Sequence, residues 1–343
     1  MSIKNNLKTD NTTGLQRWLE NIWYNNGAGK FLLLPLTVVY CTLNSIQRWK
    51  SRNHHPKLPC KVIVVGNITV GGTGKTPLTI HLVNLLKKSG YKPAIITRGY
   101  GGKASRWLQS VTPESDPKMV GDEAVLMATN TQVPVYAGAD RLLSISKLCQ
   151  AHDCDVVISD DGMQHYKLPS DILITVIDGE RLLGNGWCLP AGPLRERKQR
   201  LESSDILVVN GEIEDDSFDD RIISPWFGMA LKGQILSQLN SSQEISVKDF
   251  KTRKVHAVTG IGNPKRFFKA LEKLGFESQQ HSFPDHHDFS EEDLQFDDDL
   301  PVVMTEKDAV KCKKFAKDHY WYLPVLAELE NDFDESVLKL LES

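Results

Sequence analysis

Apolar and polar positions divide the chain into stretches of different period. After a polar start at residues 1–13, apolar side chains recur at helical spacing from 15 to 49, with Trp18, Trp23, Tyr24, Tyr40 and Trp49 spread along the stretch. A basic flank follows, made of Arg48, Lys50, Arg52, His54, His55 and Lys57. The pattern changes at residue 61. The run KVIVV at 61–65 is continuously apolar, as in a strand buried on both faces. LTIHLVNLLKK at 78–88 returns to helical period and stops at Gly90. Strands are predicted at 93–97, 133–136, 156–159, 172–177 and 206–209, and helices at 123–129 and 141–150. Apolar strands alternating with helices predict a doubly wound, mostly parallel α/β sheet.

The acidic run EIEDDSFDD at 212–220 interrupts the alternation and reads as a solvated loop at a domain boundary. Residues 226–239 read as an extended connector. A second α/β pattern then begins, with strands at 255–259, 302–305 and 320–325 and helices at 264–274, 308–317 and 335–341. The expected organisation is an N-terminal helical segment at 1–57, a core at 58–222, a linker at 223–248 and a smaller α/β domain at 249–343. No repeat of solenoid period is present.

Composition narrows the classes. With 41 Lys+Arg against 44 Asp+Glu, the formal net charge of −3 argues against a dedicated nucleic-acid binder. The six cysteines are scattered without a C-x-x-C pair, so free thiols in a reducing compartment are expected rather than a disulfide framework or zinc ribbon. No secretory leader is expected from the polar first thirty residues. The apolar run FLLLPLTVVYCTL at 31–43 is broken by Pro35 and is shorter than the roughly 20 residues a spanning helix needs. Two readings of 15–49 stand. It is a helix lying in a membrane interface beside its cationic flank, or a core helix with a solvated basic end.

The first chemistry-bearing segment is TVGGTGKT, residues Thr69, Val70, Gly71, Gly72, Thr73, Gly74, Lys75 and Thr76. It lies between a predicted strand and a predicted helix, the context of a Walker A phosphate loop. Glycines let backbone N–H groups face phosphate oxygens, and the helix N-terminus adds its positive end. Lys75 is then the contact to the β- and γ-phosphates and Thr76 a Mg²⁺ ligand. The strict motif has glycine where this chain has Thr69. Pro77 suits the first turn of a helix. Partition ATPases and metallochaperones carry lysine just before the two glycines, where this chain has Val70.

DVVISDDGMQ at 155–164 is an apolar strand ending in acid, the Walker B pattern, which places Asp160 or Asp161 near Mg²⁺. Adjacent carboxylates repel unless a cation or donor sits near. Asp122 opens a helix, and on residue type alone an N-cap is its commonest job. LPAGPLRE at 189–196 carries Arg195, a candidate phosphate grip, and Glu196, a candidate metal ligand; both also fit a charged surface loop. FPDHHDF at 283–289 gathers Asp285, His286, His287 and Asp288. A histidine bonded to a carboxylate is a base unit, although loop histidines are more often polar surface.

Together these segments resemble the tetraacyldisaccharide 4′-kinases, the lipid A kinases of Gram-negative bacteria. The resemblance runs through VGNITVGGTGKTP at 65–77, ITRGYGG at 96–102, VGDEA at 120–124, AGADR at 137–141, SDDGMQH at 159–165 and LPAGPLRE. It continues through TGIGNPKRF at 259–267, FPDHHDF and TEKDAVK at 305–311, so it covers most of the chain in order. Ala124 stands where proline is expected after Gly-Asp-Glu. The resemblance implies a phosphate-loop fold and phosphoryl transfer from ATP, with Mg²⁺, to the 4′-hydroxyl of a lipid disaccharide 1-phosphate. It implies Asp160, Asp161 and Glu196 as the metal shell with Gln164 beside it. Asp122 is implied as general base, supported by His286 rather than His287. Arg98, Tyr100, Arg141 and Arg195 are implied as positioning groups. A peripheral place on the cytoplasmic face of the bacterial inner membrane follows, with no nucleic acid and no obligatory protein partner, and it favours the interfacial reading of 15–49. Motifs from both halves imply a site formed by two domains. The rival class is a nucleotide-dependent switch or chaperone without lipid chemistry.

Overall fold

The computed structural model describes residues 14–25, 27–51, 56–102, 108–213 and 224–343. The polar start at 1–13, the basic positions Arg52, His54 and His55, and most of the acidic run, 214–220, lie outside the described residues.

Where one helix was expected at 15–49 there are two, α1 (Gly14–Tyr24) and α2 (Lys30–Ser51). The break has a steric cause. A Cβ on Gly29 would come within 2.8 Å of Ile22 and 2.9 Å of Trp18, so the chain folds back tightly there. Then follow β1 (Lys61–Gly66), α3 (Lys75–Lys88), β2 (Pro93–Thr97), β3 (Gln109–Val111), α4 (Pro117–Val120), α5 (Asp122–Thr131), β4 (Val135–Ala137) and α6 (Arg141–Ala151). Next come β5 (Val156–Asp160), β6 (Ile172–Asp178), β7 (Ile206–Asn210) and β8 (Trp226–Lys232). The chain then builds β9 (Ile235–Gln238), β10 (Glu244–Ser246), β11 (Lys254–Thr259), α7 (Pro264–Lys273), β12 (Glu277–Ser282), β13 (Val302–Thr305), α8 (Glu306–Cys312) and β14 (Tyr320–Leu323). It closes with β15 (Leu326–Leu329) and α9 (Phe333–Glu342).

The described residues divide into a larger unit, within 18–232 and 326–343, and a smaller one, within 14–17 and 233–325. The larger unit holds a nine-stranded sheet in the order β15-β8-β7-β6-β1-β5-β2-β4-β3. Its strands are parallel except for the antiparallel edges β3 and β15. β1, β5, β6 and β7 are buried at nearly every residue, which is why they read as unbroken apolar runs instead of alternating. The strand order reverses around β1, and that reversal opens a crevice at the carboxyl ends of the strands, where such sheets bind ligands.

The stretch at 226–239, expected as a connector, is extended but paired. β8 lies along β7 in the large sheet, and β9 belongs to the other sheet. The last eighteen residues return to the large sheet, with β15 along β8. Phe333, Val337 and Leu341 of α9 are fully buried, each burial stabilising by about 1.5–3 kcal/mol. His81 of α3 meets Asp334 at 2.7 Å, and Lys61 Nζ donates to the backbone oxygen of Leu341.

The smaller unit holds a six-stranded sheet, β10-β9-β14-β13-β11-β12, parallel from β14 to β12. Val255, Ala257 and Val303 pack with Phe267, Phe268 and Leu271 of α7 to form one of its cores. The helix expected at 308–317 starts earlier and ends sooner. Thr305 caps it by accepting from the Asp308 N–H, and residues 313–315 tighten into a 3₁₀ turn.

In α2 the side turned to the rest of its unit carries Thr37, Tyr40, Cys41 and Asn44. Phe31, Leu32, Leu36, Val38, Val39, Leu43, Ile46 and Trp49 are exposed. A core helix buries its apolar side, so that alternative does not describe α2. Among the described residues no helix is long and apolar enough to cross a membrane.

Candidate active site

The register of the sheet builds the first part of the site. Val65 of β1 pairs with Asp160 of β5, so the acidic end of β5 stands beside the start of the phosphate loop. The loop, 67–74, runs straight into α3. Gly74 adopts φ 94°, and a Cβ there would lie 2.3 Å from Asn210 Nδ2, so only glycine turns the chain at this point. Asn210 Nδ2 donates to the Thr73 carbonyl at 2.9 Å, bracing the loop from the end of β7. Asn67 Nδ2 donates to the Thr69 carbonyl at 2.8 Å, and Asn67 Oδ1 accepts from Lys75 Nζ at 3.1 Å. Thr69, Thr73 and Thr76 are buried, whereas Gly71 and Gly72 face solvent. Val70 donates its N–H to the Pro193 carbonyl at 2.9 Å.

The acid pair divides into unlike members. Asp160 is fully buried, and Thr79 donates to its Oδ1 at 3.4 Å. Burial, then the charges of Glu123 and Asp161, push its carboxyl up to about 7 against the pull of Lys75 and Arg141. Asp161 turns the chain at φ 49°. Burial also raises it, but Lys75 at 3.5 Å and Arg195 at 3.0 Å outweigh that and hold it well below the usual carboxylate range.

The donor set fits Mg²⁺. Asp160, Asp161, Glu196 and Thr76 offer oxygen only, the hard ligands this ion takes. Asp160 Oδ2 is buried without a hydrogen-bond partner among the described residues, as an atom aimed at a cation is. Among the described residues no three His, Cys, Asp or Glu groups form a closed cluster able to hold a metal. Mg²⁺ needs none, because it is held by one or two carboxylates together with phosphate and water oxygens.

The loop LPAGPLRE closes the site from the other side. Thr69 and Leu194 form an isolated bridge, and the Arg195 N–H donates to the Ile68 carbonyl at 2.6 Å. The Arg195 guanidinium reaches Asn67 Oδ1 at 3.1 Å and both oxygens of Asp161. Gln164 Nε2 donates to the Asn67 carbonyl at 2.9 Å and lies 3.4 Å from Glu196 Oε1. Glu196 is buried, which raises its carboxyl, while Arg200 at 3.5 Å and Tyr166 counter that. The loop rests on the two N-terminal helices. Trp23 Nε1 donates to the Pro190 carbonyl, Thr37 Oγ1 to the Cys188 carbonyl, and Tyr40 and Asn44 to the Arg195 carbonyl.

Asp122 is buried in the first turn of α5. It is not the N-cap; Gly121 is, at φ 92°, and Asp122 Oδ1 accepts from the Glu123 N–H at 2.9 Å. Arg98 and Tyr100 lie exposed on the loop after β2. Arg141 is fully buried, and its guanidinium donates to the Gly138 and Asp160 carbonyls, each at 3.0 Å, so it braces the acid turn from behind. Burial lowers its pKa to about 10 against the opposing charges of Asp160 and Asp161.

In the smaller unit the two histidines of FPDHHDF differ. His287 Nε2 lies 3.1 Å from Asp293, and its ring stacks on Phe283 and meets the Phe289 edge. His286 sits at φ 58°, donates its N–H to the Gly260 carbonyl, and brings Nε2 to 3.4 Å from Lys307 Nζ and 3.8 Å from Asp285. Asp308 is fully buried and accepts from Thr259 and Thr305 Oγ1 and from the Gly260 N–H, which binds the ends of β11 and β13 together.

Two residues of the larger unit's site carry no role in the sequence reading, although Asn67 lies within the segment VGNITVGGTGKTP. Asn67 stands between the strand and the phosphate-loop signature, and Asn210 ends an ordinary apolar strand 136 residues past Gly74 in sequence. Asn67 had a faint signal, a polar amide directly after an apolar run; Asn210 had none.

Comparison with known proteins shows the family. The family model described as Tetraacyldisaccharide-1-P 4′-kinase matches residues 29–342. A tetraacyldisaccharide 4′-kinase of Nitrosococcus oceani is 45% identical over 329 residues, 93% of each chain. That of Shewanella denitrificans is 44% identical over 332 residues, 95% of this chain and 98% of its own. Among solved structures, LpxK from Aquifex aeolicus in complex with ATP superposes with a TM-score of 0.77 at 30% identity, covering 91% of this chain and 99% of that one. The chain belongs to the tetraacyldisaccharide-1-P 4′-kinase family.

Proposed function

We infer that this protein is an ATP-dependent kinase. It transfers the γ-phosphoryl group of ATP to the 4′-hydroxyl of a tetraacyldisaccharide 1-phosphate, giving the 1,4′-bisphosphate of lipid A biosynthesis. The observation that carries this reading is the convergence of Lys75 and Arg195 on both Asn67 and Asp161 at the mouth of the phosphate loop, in a chain matched by the kinase family over 29–342.

In phosphoryl transfer the protein positions reactants and neutralises charge. Backbone N–H groups of 71–76 and the start of α3 cradle the phosphates, the Val70 N–H being taken by the Pro193 carbonyl, and Lys75 sets the far end of the triphosphate. Thr76, Asp160, Asp161 and Glu196 are assigned to hold Mg²⁺, with Gln164 orienting Glu196. When bound, that ion neutralises charge on the phosphate oxygens. Asp122 is assigned as the base that takes the proton of the sugar hydroxyl, a poor acid that needs a carboxylate within reach. The part given to His286, support for that base, comes from the FPDHH motif. Arg195, Arg98 and Tyr100 are assigned to positioning, and Arg141 to holding the acid turn.

The acceptor carries four acyl chains, so it stays in a bilayer. The exposed apolar side of α2 and its basic end suit a helix lying in the interface, which supports a peripheral position on the cytoplasmic face of the inner membrane. Leu36→Glu with Leu43→Glu is expected to release the protein from anionic vesicles in a flotation assay; unchanged flotation rejects the interfacial placement.

The test of the activity is transfer of labelled γ-phosphate from Mg·ATP to tetraacyl disaccharide 1-phosphate in detergent micelles, with Lys75→Ala and Asp122→Ala alongside. A labelled lipid bisphosphate formed by the wild type and lost in both variants supports the reading. Label released only as free phosphate, with or without lipid, overturns it in favour of a nucleotide-dependent switch.

A further inference from the structure

The larger unit contains a cavity of about 270 Å³ that has no part in the phosphate loop. Its polar lining is Arg48 and Ser51 from the end of α2, His165 and Tyr166 from the stretch after the acid turn, Ser170 and Arg200. Two guanidinium groups therefore share one wall. Arg200 pairs with Glu196 through Nε, 3.5 Å from Oε2, and donates from NH1 to Ser203 Oγ at 2.7 Å. Arg48 makes no hydrogen bond or ion pair among the described residues. It is near enough for its charge to be felt at both Glu196 and Arg200. Two cations thus face one carboxylate, and Gln164 and Tyr166 also bond to that carboxylate. The lining keeps a surplus of positive charge, and like charges gathered at one cavity are costly without an anion.

The chemistry of the wall selects the anion. Guanidinium forks match the paired oxygens of phosphate, and the Ser170 hydroxyl supplies a further donor. Position selects the carrier. Arg48 and Ser51 close the last turns of the helix whose other side is exposed and apolar, so the cavity opens beside the surface that faces lipid under the interfacial placement. We propose that this cavity is a second anion site, separate from the phosphate loop, which binds a phosphate group carried on a lipid. Two carriers share that chemistry: the acceptor's own 1-phosphate and the headgroup of a surrounding phospholipid. The identity of the acceptor rests on the kinase reading; the site itself rests on the cavity.

The test is equilibrium binding without nucleotide, using the full chain. Wild type, Arg48→Ala and Arg48→Lys are titrated with neutral micelles carrying tetraacyl disaccharide 1-phosphate or its 1-dephospho analogue, and with phosphatidylcholine vesicles with and without phosphatidylglycerol. Arg48 is exposed, so its variants are expected to fold, which circular dichroism checks. Losing a charge-assisted pair to phosphate is expected to weaken binding about tenfold in Arg48→Ala, with partial recovery in Arg48→Lys, which keeps the charge without the fork. A loss confined to the phosphorylated disaccharide assigns the site to the acceptor. A loss confined to phosphatidylglycerol vesicles assigns it to the bilayer. Equal binding by wild type and Arg48→Ala throughout, or an equal loss with the dephospho analogue in neutral micelles, overturns the proposal. Failure of the kinase reading shows instead as absent label transfer by the wild type, which leaves these measurements intact.

Discussion

Arg195 holds Asp161 as a fork, with NH1 3.0 Å from Oδ1 and NH2 3.2 Å from Oδ2, while its own carbonyl accepts from Tyr40 and Asn44 of α2. Asp161 is a non-glycine residue at φ 49°, a conformation that costs on the order of 1 kcal/mol and persists only where its surroundings enforce it. The fork and Lys75 enforce it here. One arginine thus links the acid turn, the phosphate-loop asparagine and the apolar N-terminal helix.

Replacing that fork by a point charge tests whether its geometry matters. Arg195→Lys keeps the charge but not the paired donors, and turnover is expected to fall roughly 10- to 100-fold, with Arg195→Ala lower still. Steady-state kinetics with saturating ATP measures this. Turnover within twofold of wild type in the lysine variant shows that charge alone suffices.

Asp122→Asn separates a base from a cap. Because Gly121 occupies the cap position, the substitution is expected to leave the melting temperature nearly unchanged while the transfer rate drops about 10²- to 10⁴-fold. A fall in melting temperature that tracks the loss of activity assigns Asp122 to structure instead.

Asn67 accepts from both Lys75 and Arg195, and its Nδ2 holds the Thr69 carbonyl. Asn67→Ala is expected to raise the KM for ATP and lower kcat together by about tenfold or more, since each lost hydrogen bond at a charged partner is worth about 1.5–3 kcal/mol. Asn67→Asp puts a carboxylate beside Asp161 and is expected to be worse. Unaltered kinetics in Asn67→Ala removes Asn67 from the site.

Acid sensitivity of the smaller unit follows from Asp293. Burial is the largest single influence and raises its carboxyl, but the Ser290 N–H, the His287 ring and the Ser290 hydroxyl together outweigh it and hold it below the ordinary value. A depressed folded-state pKa contributes stability that is present above the unfolded value, about 3.9, and is lost as pH falls through the folded value. Urea midpoints measured from pH 7 down to about 3 are expected to decline less steeply at the acid end in Asp293→Asn. Parallel declines in the two proteins contradict this.

The return of the C-terminus to the large sheet is also testable. Leu341 is fully buried, and Leu341→Ala is expected to cost about 2–5 kcal/mol. A urea midpoint shift worth only a few tenths of a kcal/mol indicates that α9 is dispensable.

Much of the larger unit was legible before folding. KVIVV, VVIS and ILITVI read as buried strands because a strand covered on both faces has no polar side to show, and period is visible within a single segment. β12 was missed for the opposite reason. ESQQHS is an edge strand with one buried residue, so nothing in its composition separates it from loop. The break between α1 and α2 was missed because the clash that demands Gly29 involves Trp18 and Ile22, whose approach a linear pattern does not contain.

Local chemistry along the chain settled the phosphate loop, the acidic strand end and the alternation that yields a parallel sheet, since each depends on neighbours in sequence. Tertiary structure alone decided which carboxylate of the pair is gripped and which is buried, because that depends on Lys75 and Arg195 arriving from 86 and 34 positions away. It decided likewise that Asn210 braces Thr73, that α2 turns its polar side inward, and that β15 and α9 rejoin the first sheet. These are choices among partners distant in sequence, made by sheet register and burial, and no short-range pattern encodes them.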